Sequence, residues 1–196
     1  MKNNNSAEKE ISLTMLKKRL GKYRYEHTIR VLKAALELAE IYNAEIEKVR
    51  KAAVLHDIAK NLEKNKLKKI IKKSNWKIDC LEWSLDSVLH APAGAEIAKK
   101  EFGIDDYDIL EAVRYHTLGH PEMGLVAQII YAADFIEDGR SFEGLKEIQK
   151  IVKENLMEGI YLISSNSIKY QLKLDNPIHP YTNNLRNKFL LKRSDN

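Results

Sequence analysis

The sequence predicts an all-α protein, and three observations lead to this class. The chain has 196 residues, the size of one ordinary domain, and 44% of them are hydrophobic, enough to bury a core. Eight glycines and four prolines are too few for the many turns of a β-sandwich or barrel. Apolar residues recur along most of the chain at the spacing of amphipathic helices. We therefore expect a helical bundle.

In the first half of the chain, helices are predicted where an apolar stripe recurs and a breaker closes it. Gly21 separates a first helix from a second, whose stripe includes His27 and Val31. Pro92 suits the first turn of a helix that stops near Gly103. The predicted helices cover about 7–20, 22–42, 45–59, 64–73, 80–89 and 91–103.

The second half of the chain predicts four more helices. Acidic residues at 105–108 form a cap for a helix that carries Ile109, Val113 and His116 at helical spacing. The other three cover about 124–138, 142–173 and 182–193. No repeat or linker divides the chain, so we expect a single domain over residues 1–196, with C-terminal helices at about 142–196.

The composition also excludes several classes of protein. A single cysteine, Cys80, excludes an internal disulfide framework and favours a reducing compartment. The polar N-terminus lacks the apolar stretch of a signal peptide, and no uncharged run reaches the ~20 residues of a membrane span. No glycine spacing fits the GxxxxGK[ST] phosphate loop, which excludes a P-loop NTPase. We expect a cytoplasmic protein without a membrane partner.

The net charge is +5, and the charged residues are distributed unevenly along the chain. Residues 60–73 hold seven lysines against one glutamate, whereas residues 101–147 hold eleven acids against three bases. The basic run fits a solvated helix face, a nucleic-acid-binding patch or the attraction of a polyanionic small substrate. Composition does not choose among these three.

Several polar residues fall where a buried leucine or isoleucine is expected. His27, His56 and His116 lie on apolar stripes, and Asp134 lies on another. A buried carboxylate without a partner costs several kcal/mol or more, so a bound cation is the simplest explanation. Imidazole nitrogens with carboxylate oxygens suit iron, zinc or manganese, and the lack of cysteine ligands argues against a structural zinc finger. The sequence thus predicts a metal site between helices.

The order of these residues, His27, then His56-Asp57, then Asp134, resembles the H…HD…D signature of the HD-domain metal-dependent phosphohydrolases. Five local segments are similar to the YqeK-type branch, the bacterial symmetrical dinucleoside tetraphosphatases: 25–28, 55–60, 90–95, 114–119 and 129–140. The resemblance spans about 22–145. It implies an HD-domain helical bundle with a metal-binding core at about 22–140 and a C-terminal helical extension.

The resemblance also implies a set of metal ligands. His27, His56, Asp57 and Asp134 match the family's ligands, and the metal is typically iron, with manganese or another divalent metal as alternatives. Two further histidines of the family match His90 and His116. These two either complete a second metal site or contact phosphates, so the centre is either mononuclear or dinuclear.

The implied reaction is the hydrolysis of diadenosine tetraphosphate to two ADP by a metal-activated water. Asp57, Lys60 and His90 are expected to take part in the chemistry. Lys60 lies three and four residues beyond Asp57 and His56, a spacing that puts its ammonium on their side of a helix. The residues expected to contact the substrate are Lys60, His90, His116, Thr117 and Arg140.

Two other functions stay open at this point. One is another HD-type nucleotide phosphohydrolase, a nucleotidase or phosphodiesterase; the other is a non-catalytic nucleotide- or RNA-binding module, which the lysine run alone supports. The complete H…HD…D set favours an enzyme. The expected partner is a small dinucleoside polyphosphate or nucleotide of ADP or GDP type, not nucleic acid. The C-terminal helices either form a homodimer or fold back on the core, and His120 and His179 have no assigned role.

Overall fold

The computed structural model describes residues 11–193, which form ten helices and no strand. The predicted all-α class is therefore confirmed; residues 7–10 of the first predicted helix lie outside the described residues. No helix in this range combines the length and apolarity that a membrane crossing requires. The helices are α1 (Leu13–Ile41), α2 (Ile46–Leu55), α3 (Lys64–Ile71), α4 (Cys80–Ser84), α5 (His90–Phe102), α6 (Tyr107–Tyr115), α7 (Leu125–Ile136), α8 (Leu145–Glu154), α9 (Leu156–Lys173) and α10 (Pro180–Arg193).

Helix α7 occupies the centre of the bundle because its sequence is apolar on nearly every face. It packs against α1, α2 and α6 on one side and against α8 and α9 on the other. Helix α5 packs against α6, and α3 packs against α5. Of the C-terminal helices, α9 contacts both α8 and α10, and α8 and α9 pack on α7.

Two predicted helices are wrong in extent. The helix predicted over 142–173 is two helices, α8 and α9, because Asn155 between them has an extended backbone (φ −151°, ψ 102°). The Asn155 side chain accepts a hydrogen bond from the Glu158 backbone N–H at 3.1 Å and so caps α9. The helix predicted over 80–89 ends at Ser84, and residues 86–89 form turns.

Gly21 breaks helical geometry as predicted, but by a kink within α1 (φ 70°, ψ 171°) and not by a loop. Helix α2 ends at Leu55, before the predicted 59, so the His56-Asp57 pair lies in the turn that follows. Helix α6 ends just before His116, and α5 begins at His90. Three helix ends thus bring polar side chains to one place.

Candidate metal centre

Six side chains predicted as metal ligands converge between α1, α2, α5, α6 and α7. Five of them are buried, and the Asp134 side chain is 20% exposed. Helices α1 and α7 contribute residues from within their length, whereas α2, α5 and α6 contribute residues at their ends. The six residues are His27, His56, Asp57, His90, His116 and Asp134.

His27, His56 and Asp57 form a first triad. The Nε2 atoms of the two histidines lie 3.3 Å apart. Asp57 Oδ2 lies 3.7 Å from each of these nitrogens. Asp134 Oδ1 joins this triad at 3.2 Å from His27 Nε2. Two imidazole nitrogens and two carboxylate oxygens therefore surround one point.

Asp57, His90 and His116 form a second triad. Asp57 Oδ1 lies 3.3 Å from His90 Nε2 and 3.7 Å from His116 Nε2, and the two nitrogens are 3.1 Å apart. The Thr117 hydroxyl lies 3.1 Å from His116 Nε2 and 3.2 Å from His90 Nε2. Asp57 therefore presents one oxygen to each triad, the geometry of a carboxylate that bridges two ions.

Backbone carbonyls fix the protonation of two of these rings. His56 Nδ1 donates to Ala53 O at 2.7 Å, and His116 Nδ1 donates to Val113 O at 2.8 Å. A carbonyl only accepts, so each proton lies on Nδ1 and each Nε2 lone pair points into the centre. Lone pairs of this kind repel one another unless a cation lies between them. The residues present therefore fit a bound metal ion.

A carboxylate orients the third ring in the same way. His27 Nδ1 donates to Glu137 Oε1 at 3.2 Å. The other oxygen of Glu137 accepts from Arg30 Nε at 2.5 Å and from the Gly139 backbone N–H at 2.6 Å. Three donors thus hold Glu137, and Glu137 holds the His27 lone pair toward the first triad. The neighbouring Asp138 instead pairs with Lys33 at the surface.

The charge states of the centre suit a cation. Burial alone would raise the pKa of the Asp57 carboxyl, but the surrounding imidazoles hold that pKa well below its usual range. Burial would likewise raise the pKa of Asp134, but that pKa is held below its usual range, and the positive charge of Arg140 contributes to this lowering. Burial lowers the pKa of His56 and of His90 to about 4. At neutral pH the carboxylates are ionised and these imidazoles are neutral, as metal ligands must be.

Three cationic side chains border the centre. Lys60 Nζ lies 3.1 Å from His90 Nε2 and 3.9 Å from Asp57 Oδ1, and burial lowers the pKa of its ammonium. Arg140 donates from a terminal nitrogen to Asp134 Oδ1 at 2.8 Å. Sequence reasoning missed Arg24, which donates to Asp57 Oδ2 at 3.0 Å. Its position three residues before His27, on the same face of α1, was the available signal.

A polar cavity of about 680 Å³ opens onto the centre. Arg24, Lys60, Thr117 and Arg140 line it, together with residues 84–88 and 176–179. The turns that replace the end of the predicted helix 80–89 therefore form one wall of this cavity. A cavity with this many cations suits an anionic ligand.

The remaining predicted features lie outside the centre. His179 Nδ1 accepts from the Tyr181 backbone N–H at 3.1 Å, so its proton is on Nε2, 3.0 Å from Asp79 Oδ2. In the group of Asp79, Glu82 and His179, the imidazole therefore has no lone pair to offer a metal ion, and Glu82 pairs with Arg114 at 2.8 Å. His120 stacks on Tyr115.

The lysine run forms one exposed face. In α3, Leu67 and Ile71 are buried, and most of the lysines around them are exposed. This arrangement is a solvated helix face packed on the core by two apolar residues. It lies on a different helix from every ligand of the two triads.

Comparison with known proteins adds three findings. Residues 24–139 match the HD domain family. A protein of Halalkalibacterium halodurans named "bis(5'-nucleosyl)-tetraphosphatase, symmetrical" is 38% identical over 182 residues, which cover 93% of this chain and 97% of the relative. A protein of the same name from Bacillus subtilis is 37% identical over 174 residues, covering 89% of this chain and 93% of the relative.

The same likeness extends to a solved structure. A crystal structure from Clostridium acetobutylicum, described as a predicted HD superfamily hydrolase involved in NAD metabolism, matches with a TM-score of 0.88 at 37% identity. The match covers 92% of this chain and 95% of that chain. The similarity in sequence to the two relatives and the similarity in fold to the crystal structure thus both extend over nearly the whole length of this chain.

Proposed function

The chain belongs to the HD domain family, as the order of its histidines and aspartates predicted, and we propose that it is a metal-dependent hydrolase of dinucleoside tetraphosphates. The relatives from H. halodurans and B. subtilis are named symmetrical bis(5'-nucleosyl)-tetraphosphatases, and this chain spans nearly all of each. The substrate we propose is diadenosine tetraphosphate, cut at its central linkage into two molecules of ADP.

One observation carries this proposal: two triads share Asp57 beside a cavity lined with cations. A binding module has no chemical need for two triads in which three of the four histidines, His27, His56 and His116, direct their ring protons outward. In this proposal His27, His56, Asp57 and Asp134 hold a first divalent ion. His90 and His116, with the other oxygen of Asp57, hold a second.

Iron is the metal we propose, with manganese or another divalent ion as the alternative, because imidazole and carboxylate ligands suit all of them. When bound, the ion supplies a Lewis acid and lowers the pKa of a coordinated water toward neutrality. The chain itself supplies charge around the phosphates. Lys60 and Arg140, with Arg24 beside them, face the polyphosphate from the cavity walls and stabilise the negative charge that grows on its oxygens.

The oxygen of a water forms a bond to one of the two central phosphorus atoms, and the bond between that phosphorus and the bridging oxygen breaks. Both halves then leave as ADP. The departing oxygen carries negative charge, which a nearby N–H group stabilises by donating a hydrogen bond or a proton. Lys60 Nζ lies 3.1 Å from His90 Nε2 and 3.9 Å from Asp57 Oδ1, and we assign this task to its ammonium. Thr117 borders the same cavity and contacts the bound phosphates. In a centre with one ion, His90 and His116 would contact the phosphates instead.

The proposal extends to the partner and the compartment. The ligand is a small nucleotide of the ADP or GDP type, and the exposed lysine face of α3 has no part in binding nucleic acid. The single cysteine supports a cytoplasmic location. Helices α8 and α9 pack on α7 of their own chain and α10 packs on α9, so dimerisation is not required to cover them.

The test is product analysis with the metal-loaded protein. The protein, purified without oxygen, is incubated with diadenosine tetraphosphate, and the nucleotides are separated by anion-exchange chromatography. We expect ADP as the only product and its loss after chelation. Asp57→Ala removes a ligand of both triads and abolishes turnover.

A matched control changes charge without touching the centre. Lys66→Gln/Lys69→Gln/Lys72→Gln alters the exposed face of α3 and is expected to turn over at the wild-type rate. Products of ATP and AMP would contradict symmetrical cleavage. Full activity of Asp57→Ala would refute the metal assignment, and a large loss in the lysine variant would favour the binding module.

A further inference from the structure

An aromatic pocket of about 450 Å³ adjoins the polar cavity and shares Asp134 and Arg140 with it. Helices α7 and α9 form its walls, and Phe142 stands at its rim with 40% of its surface exposed. We define the pocket by Tyr131, Phe135, Phe142, Asn166, Ser167 and Tyr170. It also contacts His116 and Thr117, so it opens directly onto the metal centre.

The size and chemistry of this pocket suit a flat heteroaromatic ring. Its volume lies within the range of roughly 300–1,000 Å³ for small-molecule sites, which are largely apolar with a few polar groups. Phe135 and Phe142 pack edge to face, with ring centroids 5.1 Å apart. Aromatic side chains at the rim of a phosphate-binding site provide stacking surfaces for a nucleobase.

Asn166 supplies a directed hydrogen-bond acceptor on the α9 wall. Its Nδ2 donates to the Leu162 carbonyl oxygen at 2.9 Å. A carbonyl only accepts, so this bond fixes the amide and turns Oδ1 away from it. Among the described residues, none donates a hydrogen bond to Oδ1. A ligand in the pocket that carries an amino group can donate to this oxygen.

The Tyr131 hydroxyl is an independent observation that indicates a polar ligand in this pocket. It is buried beside Ser167 and makes no well-formed hydrogen bond. Burial also raises the pKa of this phenol, which keeps it protonated at neutral pH. Buried polar groups in proteins nearly always have a partner, so a ligand atom is the natural one here.

We propose that the aromatic pocket binds the purine base of one half of the substrate and that Asn166 Oδ1 reads its exocyclic amino group. This inference rests on the proposed function, which places the polyphosphate across the metal centre. Arg140 lines both cavities, so a ligand with its base in the aromatic pocket and its phosphates in the polar cavity would pass beside Arg140. Adenine carries this amino group and hypoxanthine does not; Asn166 is thus a specificity-determining residue.

The test compares diadenosine with diinosine tetraphosphate, using the metal-loaded full chain. Asn166→Ala is expected to raise KM for the adenosine substrate roughly 3- to 10-fold with kcat nearly unchanged, the effect of losing one hydrogen bond. KM for the inosine substrate does not rise, so discrimination between the two is lost. Inhibition by inorganic tripolyphosphate, which has no base, stays the same. Asn184→Ala, the same change at an exposed site on α10, leaves all values at wild type.

A second variant tests stacking separately from amino-group recognition. Phe142→Ala is expected to raise KM for both substrates by about tenfold, because stacking does not depend on the exocyclic group. An Asn166→Ala enzyme that discriminates as the wild type does would overturn the proposal. Equal KM values for Phe142→Ala and wild type would also overturn it.

Failure of the proposed function would be seen separately. If the metal-loaded wild type cleaves neither dinucleotide, the proposed function is wrong, and calorimetry with ADP and IDP still tests the pocket. Asn166→Ala is then expected to weaken ADP binding roughly 3- to 10-fold and to leave IDP binding unchanged. ADP affinity unaffected by this change would refute the assignment of Asn166.

Discussion

Glu137 offers a sharp test of how the first triad is held, because one atom can be changed without removing the side chain. Three donors converge on its carboxylate: His27 on Oε1, and Arg30 with the Gly139 N–H on Oε2. In Glu137→Gln, one oxygen becomes an NH₂ group. An NH₂ in place of Oε2 would oppose Arg30 Nε at 2.5 Å and the Gly139 N–H at 2.6 Å. An NH₂ in place of Oε1 would oppose His27 Nδ1 at 3.2 Å and Arg30 Nη2 at 3.5 Å, which are longer contacts.

The glutamine is therefore expected to place its oxygen toward Arg30 and its NH₂ toward His27. His27 then accepts at Nδ1 and carries its proton on Nε2, where Asp134 Oδ1 at 3.2 Å can accept it. This tautomer has no lone pair for a metal ion. Loss of such an orienting bond typically costs 10- to 100-fold in metal affinity or activity, about 1.4 to 2.7 kcal/mol.

The assay measures turnover of diadenosine tetraphosphate against metal concentration, together with urea unfolding of the metal-free protein. We expect a metal requirement 10- to 100-fold higher. The free energy of unfolding of the metal-free protein should fall by about 1 to 3 kcal/mol, because a buried hydrogen-bonded carboxylate loses its charge. Asp138→Asn is the matched control, because the same change one residue on affects only an exposed pair with Lys33. A Glu137→Gln protein with wild-type metal dependence would refute the tautomer argument.

Two further predictions concern stability. The unfolding free energy of the metal-free protein should fall as the pH drops from 6.5 to about 4. Burial lowers the pKa values of His56 and His90 to about 4, so both stay neutral in the folded protein but bind protons in the unfolded protein. Urea titrations at pH 7, 6 and 5 measure this change, and the same unfolding free energy at all three pH values would contradict it. Gly119→Ala should destabilise by about 2 to 4 kcal/mol, since φ is +68° and the new Cβ would lie 2.3 Å from Leu185. Gly144→Ala is the control, because Gly144 has a similar φ of +83° but its new Cβ would lie in open space, and it should destabilise the protein by only about 1 to 2 kcal/mol. Equal melting temperatures for the two variants would exclude a clash between the Cβ at position 119 and Leu185.

Helices were predictable from the sequence where an apolar stripe ends at a breaker. Gly103 closes α5 in a left-handed conformation, as its position after the stripe indicated. The break at Asn155 was not predictable in this way, because apolar spacing continues through it and a side-chain cap alone separates α8 from α9. Periodicity reports which face is buried and says little about where the backbone turns.

The metal centre could be anticipated because polar residues on apolar stripes are conspicuous. His27, His116 and Asp134 each occupy a position of an apolar stripe where a buried Leu or Ile is usual, and the structure brings them together in one centre. The spacing of Arg24 from His27 indicated which face of α1 it occupies but not its contact with Asp57, and the aromatic pocket could not be anticipated either. Both depend on how separate helices pack, α1 against α2 and α7 against α9, and no local pattern encodes that packing.

The bridging position of Asp57 also sets which evolutionary changes are open to this centre. Of the described residues, Asp57 is the one that both triads share, so a substitution there damages both at once. His90 and His116 belong to the second triad alone, and each stands at the end of a separate helix. A lineage can therefore lose the second triad through α5 or α6 and keep the first. Changes that spare the first triad therefore fall at those helix ends and leave the turn after α2 unchanged.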